Sequence, residues 1–224
     1  MPVAEGRYAF STGVSAFFEM PTSDARRILP AHLEPVEVTH QRSILAVTAF
    51  HFTESEAGPY VELTFSVIVP PVPGRWIQRQ HPKAGFYPFL AATSSEESRR
   101  HRSDGFSIPY IAEDIDARFV ESCGALHVSV WTRSGPVVDL TVTQHKWEST
   151  THLLHTFMMD GTQLRKSNLQ ITGRYTVHEN ERGLMTLHHH PMTTALTLDE
   201  ISPYPFREHW LKDGVETFHP LETI

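Results

Sequence analysis

Short stretches of alternating apolar and polar residues, separated by turn-forming residues, restrict the fold of this sequence more than any other feature. Such alternation is typical of strands with one buried face, and Gly, Pro, Ser and Asp between them indicate turns. The predicted strands cover residues 44–52, 60–69, 126–131, 137–143, 170–177 and 184–189. Many short strands with few helices indicate a mainly antiparallel sheet, either closed into a barrel or packed as a sandwich.

Two short helices complete the prediction. The first covers residues 21–30, where Pro30 ends it, and the second runs from Ser95 to about Arg102. Ser94 and Glu97 have the spacing of a capping box at the start of the second helix. No internal repeat, low-complexity tract or Ser/Gly linker divides the chain, so we expect one domain over residues 1–224.

Composition excludes several classes of function. The formal net charge of −7 disfavours a nucleic-acid-binding surface, and no apolar run approaches the roughly 18–20 residues that span a membrane. Residues 1–10 lack the layout of a signal peptide, and Cys123 is the only cysteine, so a cytoplasmic location is expected. There is no dinucleotide fingerprint or phosphate loop, and no cofactor is expected. The expected partner is a small-molecule substrate or ligand.

One predicted strand carries an acidic residue on its polar face. Alternation in residues 60–67 places Tyr60, Glu62, Thr64 and Ser66 on one face and the apolar residues on the other. A solvent-facing stripe would explain this pattern. A carboxylate that lines a barrel cavity is the alternative, and such a group could act as a general base or acid with a pKa set by burial.

Several segments, taken in order along the chain, resemble one known family. They include residues 27–35 (RILPAHLEP), 58–62 (GPYVE) and 159–162 (MDGT). Together they resemble the acetoacetate decarboxylase family, whose Gly-x-Tyr-x-Glu strand projects its glutamate into the active-site cavity. The resemblance runs from about Ala25 to Phe218. It implies a closed, largely antiparallel β-barrel with a few short helices around a ligand cavity, and assembly into a homo-oligomer.

The sequence departs from this family at the residue that does the chemistry. Family decarboxylases form an imine through a lysine that follows a proline, and that amine must be neutral to attack a ketone. Aligned on its proline, the corresponding segment here has Tyr110 at the lysine position, and aligned by distance it falls near residues 101–103. Lys83 is the only lysine that follows a proline, but it precedes the expected loop. The family's early arginine has no equivalent, since Ser11 lies nearest, with Arg7 close by.

The resemblance therefore implies a cavity in which acid/base groups replace the imine. The candidate catalytic residues are Glu62, Tyr110, Arg102 and His101, with Tyr60, Ser103 and Phe106 as substrate contacts. A glutamate base with a tyrosine acid could serve enolisation, dehydration, cyclisation or hydration of a small carbonyl or carboxylic compound. This hypothesis predicts that Glu62→Gln and Tyr110→Phe abolish turnover. Tyr110 could instead be a wall residue that fills the space of the lost lysine.

Two alternatives remain open. The first is a binding or sensing barrel that has kept its cavity without chemistry. The second is a metal-dependent enzyme, because His188 and His190 would share a face of a strand and could provide two metal ligands. Its third ligand could be Glu62, His145 or His178. Because no residue fixes that third ligand, no metal site is predicted.

Overall fold

The computed structural model describes residues 5–71, 83–178 and 182–224. In these ranges the chain forms strands at the following positions: β1 (Gly6–Pro21), β2 (Glu37–Thr39), β3 (Arg42–Glu54), β4 (Tyr60–Val69), β5 (Gly85–Thr93), β6 (Asp116–Ser122), β7 (Ala125–Thr132), β8 (Gly135–Thr143), β9 (Glu148–Asp160), β10 (Gln163–His178), β11 (Leu184–Leu187), β12 (Arg207–Phe218) and β13 (Glu222–Thr223). The helices are α1 (Thr22–Ile28) and α2 (Glu96–Phe106). In the described part of the chain, no helix is long and apolar enough to cross a bilayer.

Seven strands close into a barrel in the order β1-β12-β10-β9-β5-β4-β3, and pairing of β1 with β3 completes the ring. This confirms the closed barrel that the family resemblance implied. All neighbours are antiparallel except β5 and β9, whose short parallel contact involves Gly85 and Phe86. A second sheet, β11-β8-β7-β6, is also antiparallel.

The second sheet covers the outer face of the barrel. Apolar side chains that point outward from β1, β3 and β4 form one core with the second sheet, as illustrated by Phe18, Leu63, Phe65, Val128 and Leu140. Because this face of the barrel wall is buried, the inner face of the same strands can carry polar groups around a cavity. Burial on the outside therefore stabilises the barrel, and the inside is free to bind a ligand.

The predicted elements agree with the structure at most positions. Five of the predicted strands lie in β3, β4, β7, β8 and β10, but the sixth was predicted too long, because β11 ends at Leu187. The helix α2 continues to Phe106, one turn beyond the prediction, and ends at Ser107 in a left-handed conformation with φ of 54°. Its cap is Ser95, which accepts from Ser98, whereas Ser94 accepts from the backbone of Val61. The predicted capping box is therefore wrong.

Candidate functional site

A cavity of about 620 Å³ occupies the inside of the barrel. This volume is typical of small-molecule sites. Along β4 the cavity is lined by Glu62, Thr64, Ser66 and Ile68, as the alternation of that strand predicts, and by Val69 at the end of the strand. Most of the other lining residues are apolar, and the polar ones gather at the two ends and in a band of hydroxyl groups between them.

Arg102 on α2 forms the centre of the buried end of the cavity. Its side chain is only 1% exposed. Its Nη1 lies 2.9 Å from both carboxylate oxygens of Glu62 and 3.3 Å from the hydroxyl of Tyr60. The same nitrogen lies 3.7 Å from Oε2 of Glu216, which β12 contributes. A guanidinium thus lies between two buried carboxyl groups at the end of the cavity.

The periodicity of α2 and an aromatic cage place this arginine. Ser98, Arg102, Gly105 and Phe106 form the buried stripe of the helix. The guanidinium carbon lies 4.5 Å from the ring centre of Tyr8 and 4.6 Å from that of Phe218. Such contacts with ring faces favour a cation. The cage therefore keeps the charged group in an environment from which water is largely excluded.

Tyr110 approaches the same cluster from the segment that follows α2. Two backbone hydrogen bonds hold this segment beside β5, because Ala91 donates to Pro109 and Ile111 donates to Ala91. The hydroxyl of Tyr110 donates to Oε2 of Glu62. Glu62 therefore accepts hydrogen bonds from both a guanidinium and a phenol.

Burial sets the protonation of the two carboxyl groups. It raises the pKa of Glu62, although Arg102 and the hydrogen bond from Tyr110 oppose this shift. Burial raises the pKa of Glu216 to about 7, with Arg102 opposing the shift and the charge of Glu62 adding to it. Burial also raises the pKa of Tyr110 well above its usual value, so this phenol keeps its proton. Near neutral pH Glu216 is therefore protonated in part of the molecules, which brings the net charge of the cluster closer to zero.

Two polar atoms of this cluster have no hydrogen-bond partner among the described residues. They are Nε of Arg102 and Oε2 of Glu216. Buried polar atoms are nearly always paired, so unpaired ones beside a cavity indicate the position of a ligand or of water. A ligand oxygen placed here could accept from the guanidinium and from a protonated Glu216.

The pH dependence of stability tests the raised pKa of Glu216. Between its ordinary value of 4.5 and about 7, the folded state binds the proton more tightly than the unfolded state does. The free energy of unfolding therefore falls as pH rises through this window, by roughly 3 kcal/mol for this one group. We expect Glu216→Gln to remove this decline, since an amide does not titrate. Urea unfolding of both proteins from pH 4.5 to 8 measures the difference.

The result to examine is the difference in unfolding free energy between the unchanged protein and Glu216→Gln at each pH. Burial lowers the pKa of His152 and His155 to about 4 and that of His209 to about 3, which makes stability rise with pH below about 6.5. These histidines occur in both proteins, so their contribution cancels. If the difference in unfolding free energy stayed constant from pH 4.5 to 8, Glu216 would be ionised throughout and its pKa would not be raised.

The middle of the cavity carries hydroxyl groups on otherwise apolar walls. Ser15 and Thr48 hydrogen-bond to each other at 3.0 Å. Thr64, Ser66 and Thr156 also line this part, and Oγ1 of Thr156 has no partner among the described residues. This section therefore suits an apolar chain with few polar groups.

The opposite end of the cavity is basic and rich in histidine. Lys83 and Arg207 line it and are exposed to solvent. The rings of His152 and His209 stack there with centres 5.7 Å apart, and Tyr175 packs edge-on against His152 at 4.8 Å. We call this group, Lys83, Arg207, His152, His209 and Tyr175, the basic mouth.

The structure brings four of the seven predicted site residues together. Glu62 and Arg102 line the cavity, and the hydroxyls of Tyr60 and Tyr110 hydrogen-bond to them. In this arrangement Tyr110 donates a hydrogen bond to Glu62 and keeps its proton.

The other three predicted residues do not line this cavity. His101 points away from the cavity, with Nε2 at 3.0 Å from Glu56 on the surface. The hydroxyl of Ser103 donates to the backbone of Ile108 and so stabilises the end of α2. The ring of Phe106 is buried in the aromatic cluster. The helix can present only one stripe to the cavity, and at this depth that stripe holds Arg102 alone.

Sequence reasoning missed Glu216 and Tyr8. Both lie in strands that were not predicted, and both strands contain an irregular position, near Ser11 in β1 and at Asp213 in β12. Alternation breaks at these positions, which hides the strands. The only local signal near Glu216 is a short run of strand-forming residues, Val215, Thr217 and Phe218, directly after a glycine.

The early basic residue of the family has no counterpart in the cavity. Arg7 is exposed, and the hydroxyl of Ser11 lies 3.3 Å from His51 on the outer surface. Neither residue lines the cavity, so the positive charge at its buried end comes from Arg102 instead.

The histidine pair considered for a metal does not converge. His188 pairs with Asp139 at 2.7 Å, whereas His190 contacts Thr132 at 2.9 Å. They diverge because β11 ends before them and the chain turns at Pro191. In residues 5–71, 83–178 and 182–224 no three His, Cys, Asp or Glu side chains are grouped as metal ligands. The side chain of His178 lies outside the described residues.

All four lysines of the chain are described, and none contacts Glu62 or Arg102. Lys83 lines the cavity at the basic mouth, at the end opposite Glu62. Each of the others forms an ion pair elsewhere: Lys146 with Glu148 at 3.8 Å, Lys166 with Glu222 at 2.8 Å, and Lys212 with Glu121 at 2.6 Å.

Comparison with known proteins identifies the fold. No protein-family model and no curated protein sequence matches the chain. Among solved structures, acetoacetate decarboxylase from Legionella pneumophila superposes with a TM-score of 0.71 and 14% identity, over 100% of this chain and 88% of that one. The chain has the acetoacetate decarboxylase fold. The enduracididine biosynthesis enzyme MppR in complex with pyruvate has this fold too, with a TM-score of 0.63, 14% identity, and coverage of 100% and 91%.

A further structure with this fold is an acetoacetate decarboxylase-like enzyme from Sphingomonas wittichii, with a TM-score of 0.58 and 12% identity. It covers 100% of this chain and 94% of its own. The barrel is therefore shared by proteins of different names. At these identities the likeness establishes architecture, and the chemistry has to be argued from the residues of the cavity.

Proposed function

We propose that this protein is an enzyme that transfers protons at the carbon next to a carbonyl group, without forming an imine on a lysine. The observation that carries this proposal is the Glu62–Arg102–Glu216 cluster at the buried end of the cavity. Two carboxyl groups, of which Glu216 is partly protonated near pH 7, supply a base and an acid in one place. Lyase and isomerase reactions that pass through an enol would use this step.

The two carboxyl groups have different surroundings and therefore different roles. Glu62 accepts hydrogen bonds from Arg102 and Tyr110, which stabilise its ionised form and orient it. Burial nevertheless raises its pKa, which makes the carboxylate a stronger base than one in water. Glu216 lacks such hydrogen bonds and has a pKa of about 7, so it carries the proton for much of the time. We assign Glu62 as the base and Glu216 as the acid.

The proposed step balances without any further reactant. A carbonyl oxygen of the substrate accepts a hydrogen bond from Nε of Arg102 and from the protonated Glu216. Glu62 removes a proton from the carbon next to the carbonyl, the electrons form a carbon–carbon double bond, and the proton of Glu216 moves to the oxygen. The products are an enol, a protonated Glu62 and an ionised Glu216. Return of a proton to a different carbon would isomerise the substrate, and loss of a leaving group would make the reaction a lyase reaction.

The position of the lysines supports a mechanism without an imine. An imine needs an amine within bonding distance of the carbonyl carbon. Lys83 is the lysine that lines the cavity, and its side chain is exposed at the end opposite Glu62. The complex of MppR with pyruvate supports a carbonyl compound as the class of ligand.

Proton exchange in heavy water tests this function without knowledge of the natural substrate. We expect the protein to replace hydrogen by deuterium next to the carbonyl of oxo acids or ketones in a panel of increasing length, as followed by proton NMR. We also expect no mass increase after treatment with borohydride in the presence of the same compounds. A borohydride-stable adduct on any lysine would replace this proposal by imine chemistry.

A binding barrel without catalysis is the second candidate, since the lining of the cavity is mostly apolar and Nη1 of Arg102 is already engaged by Glu62 and Tyr60. It predicts ligand binding without exchange anywhere in the panel. Lys83→Met serves as the control for the borohydride experiment, because this variant removes the cavity-lining amine and leaves Glu62, Arg102 and Glu216 in place.

A further inference from the structure

We propose that the basic mouth binds the carboxylate of an elongated substrate whose oxygenated far end reaches Glu62 and Glu216. This inference names the substrate class and rests on the proposed function for the role of the buried end. The ligand would be a long-chain oxo acid in which an apolar chain separates the carbonyl group from the carboxylate.

The length of the cavity requires an elongated ligand. Glu62 lines its buried end and Ile68 lines the wall near the mouth, six residues further along β4. A strand rises about 3.3 Å per residue, so the two positions are separated by about 20 Å. His209 and Glu216 are seven residues apart on β12, which gives a similar span. A volume of about 620 Å³ spread over this length leaves a narrow channel, with room for a chain rather than a bulky ring system.

Charge determines the orientation of such a ligand. At the buried end the carboxyl groups of Glu62 and Glu216 already balance the charge of Arg102, so an additional carboxylate finds no excess positive charge there. At the mouth the cavity is lined by the cations Lys83 and Arg207. Lys83 and Arg207 both act on His209, and no described carboxylate is paired with Lys83. A carboxylate is therefore favoured at the mouth over the site at Arg102.

The histidines of the mouth complete an anion site. Burial and the neighbouring cations lower the pKa of His152 to about 4 and that of His209 to about 3, so both rings are neutral at pH 7. His152 is 8% exposed, and its Nε2 has no partner among the described residues. A neutral imidazole can donate one hydrogen bond, and a carboxylate between the rings and Lys83 would accept it. The unpaired buried nitrogen points to a ligand independently of the charges.

Binding of simple twelve-carbon chains tests the inference without any turnover. Isothermal titration calorimetry would compare dodecanoate and dodecylamine below their micelle concentrations with dodecan-1-ol below its solubility limit. These probes share the chain and differ in the charge of the head group. We expect dodecanoate to bind at least about tenfold more tightly than the alcohol and the amine to bind most weakly. We also expect added salt to weaken dodecanoate alone, because the mouth is exposed.

Matched variants locate the carboxylate. Lys83→Met should weaken dodecanoate about tenfold and leave dodecan-1-ol unchanged, and Arg207→Met should act in the same direction. Lys146→Met is the control, since Lys146 is 79% exposed and pairs with Glu148 outside the cavity. Equal affinity for acid and alcohol, or unchanged binding of dodecanoate by Lys83→Met, would overturn the inference.

Chain length provides a second test. Each added methylene that enters the channel should raise affinity roughly fourfold until the channel is full. The series from octanoate to hexadecanoate should therefore show increasing affinity and then a plateau, whereas a flat series would overturn the inference. Failure of proton exchange with intact preference for dodecanoate would refute the proposed function alone. Exchange without any preference for the acid would refute this inference alone.

Discussion

Replacement of Glu62 by Gln is expected to slow deuterium exchange next to the substrate carbonyl by roughly 10²–10⁴-fold, the range over which general bases contribute. The amide has nearly the same shape as the carboxylate but cannot accept the proton. It can still accept a hydrogen bond from Arg102 and Tyr110, so the cluster should keep its geometry. The exchange rate measured by NMR in heavy water is the readout.

Two further variants separate the role of the base from a general disturbance. Glu34→Gln makes the same chemical change at an exposed residue that pairs with Arg26, and it should leave exchange unaltered. Tyr110→Phe removes a hydrogen bond that lowers the pKa of Glu62, so the rise of the rate with pH should move to higher pH. A Glu62→Gln variant with full activity would mean that the base is elsewhere.

The alternating strand that carries this glutamate shows what the sequence reveals readily. β4 runs without a break, its outward residues Leu63 and Phe65 are buried under the second sheet, and its inward residues Glu62 and Thr64 line the cavity. Two different environments on the two faces produce a clean period of two. The position of Glu62 in the cavity could therefore be predicted, and the family resemblance pointed to the same residue.

The strands β1 and β12, which supply Tyr8 and Glu216, lack this regular alternation. In β1 the outward residues Ala16 and Phe18 are apolar, and so is the inward Phe17, so alternation is absent. In β12 Leu211 and Glu216 both line the cavity although they are five positions apart, a spacing that places residues of a regular strand on opposite faces. The irregular position at Asp213 changes which face the following residues occupy.

Close backbone packing accounts for that irregularity. A Cβ atom at Gly173 on β10 would lie 2.9 Å from Cα of Gly214, so the two strands meet more closely here than side chains would permit. This contact joins residues that are about forty positions apart in the chain, and no local pattern can reveal it. Glu216 was therefore found only from the structure, and with it the second carboxyl group of the cluster.

Removal of the buried positive charge should have the largest effect on stability. Arg102→Met leaves Glu62 and Glu216 facing each other in the barrel without a cation, and loss of one partner of a buried ionic cluster typically costs about 3–5 kcal/mol. Arg99→Met is the matched control on the same helix, because Arg99 pairs with the exposed Asp114. The control should cost about 1 kcal/mol or less. Urea unfolding at pH 7 measures both values.

The pH dependence of the variant distinguishes an uncompensated charge from lost packing. Without Arg102 the pKa values of both carboxyl groups should rise further, because the arginine opposes the effect of burial in each. The folded state would then hold protons that the unfolded state releases, so the deficit should shrink as pH falls towards 5 and grow as pH rises. Adding Glu62→Gln and Glu216→Gln to Arg102→Met should restore most of the stability at pH 7. A deficit that is independent of pH, and that persists in the triple variant, would mean that Arg102 acts through its contacts with Tyr8 and Phe218, and that its charge is not what the two carboxyl groups require.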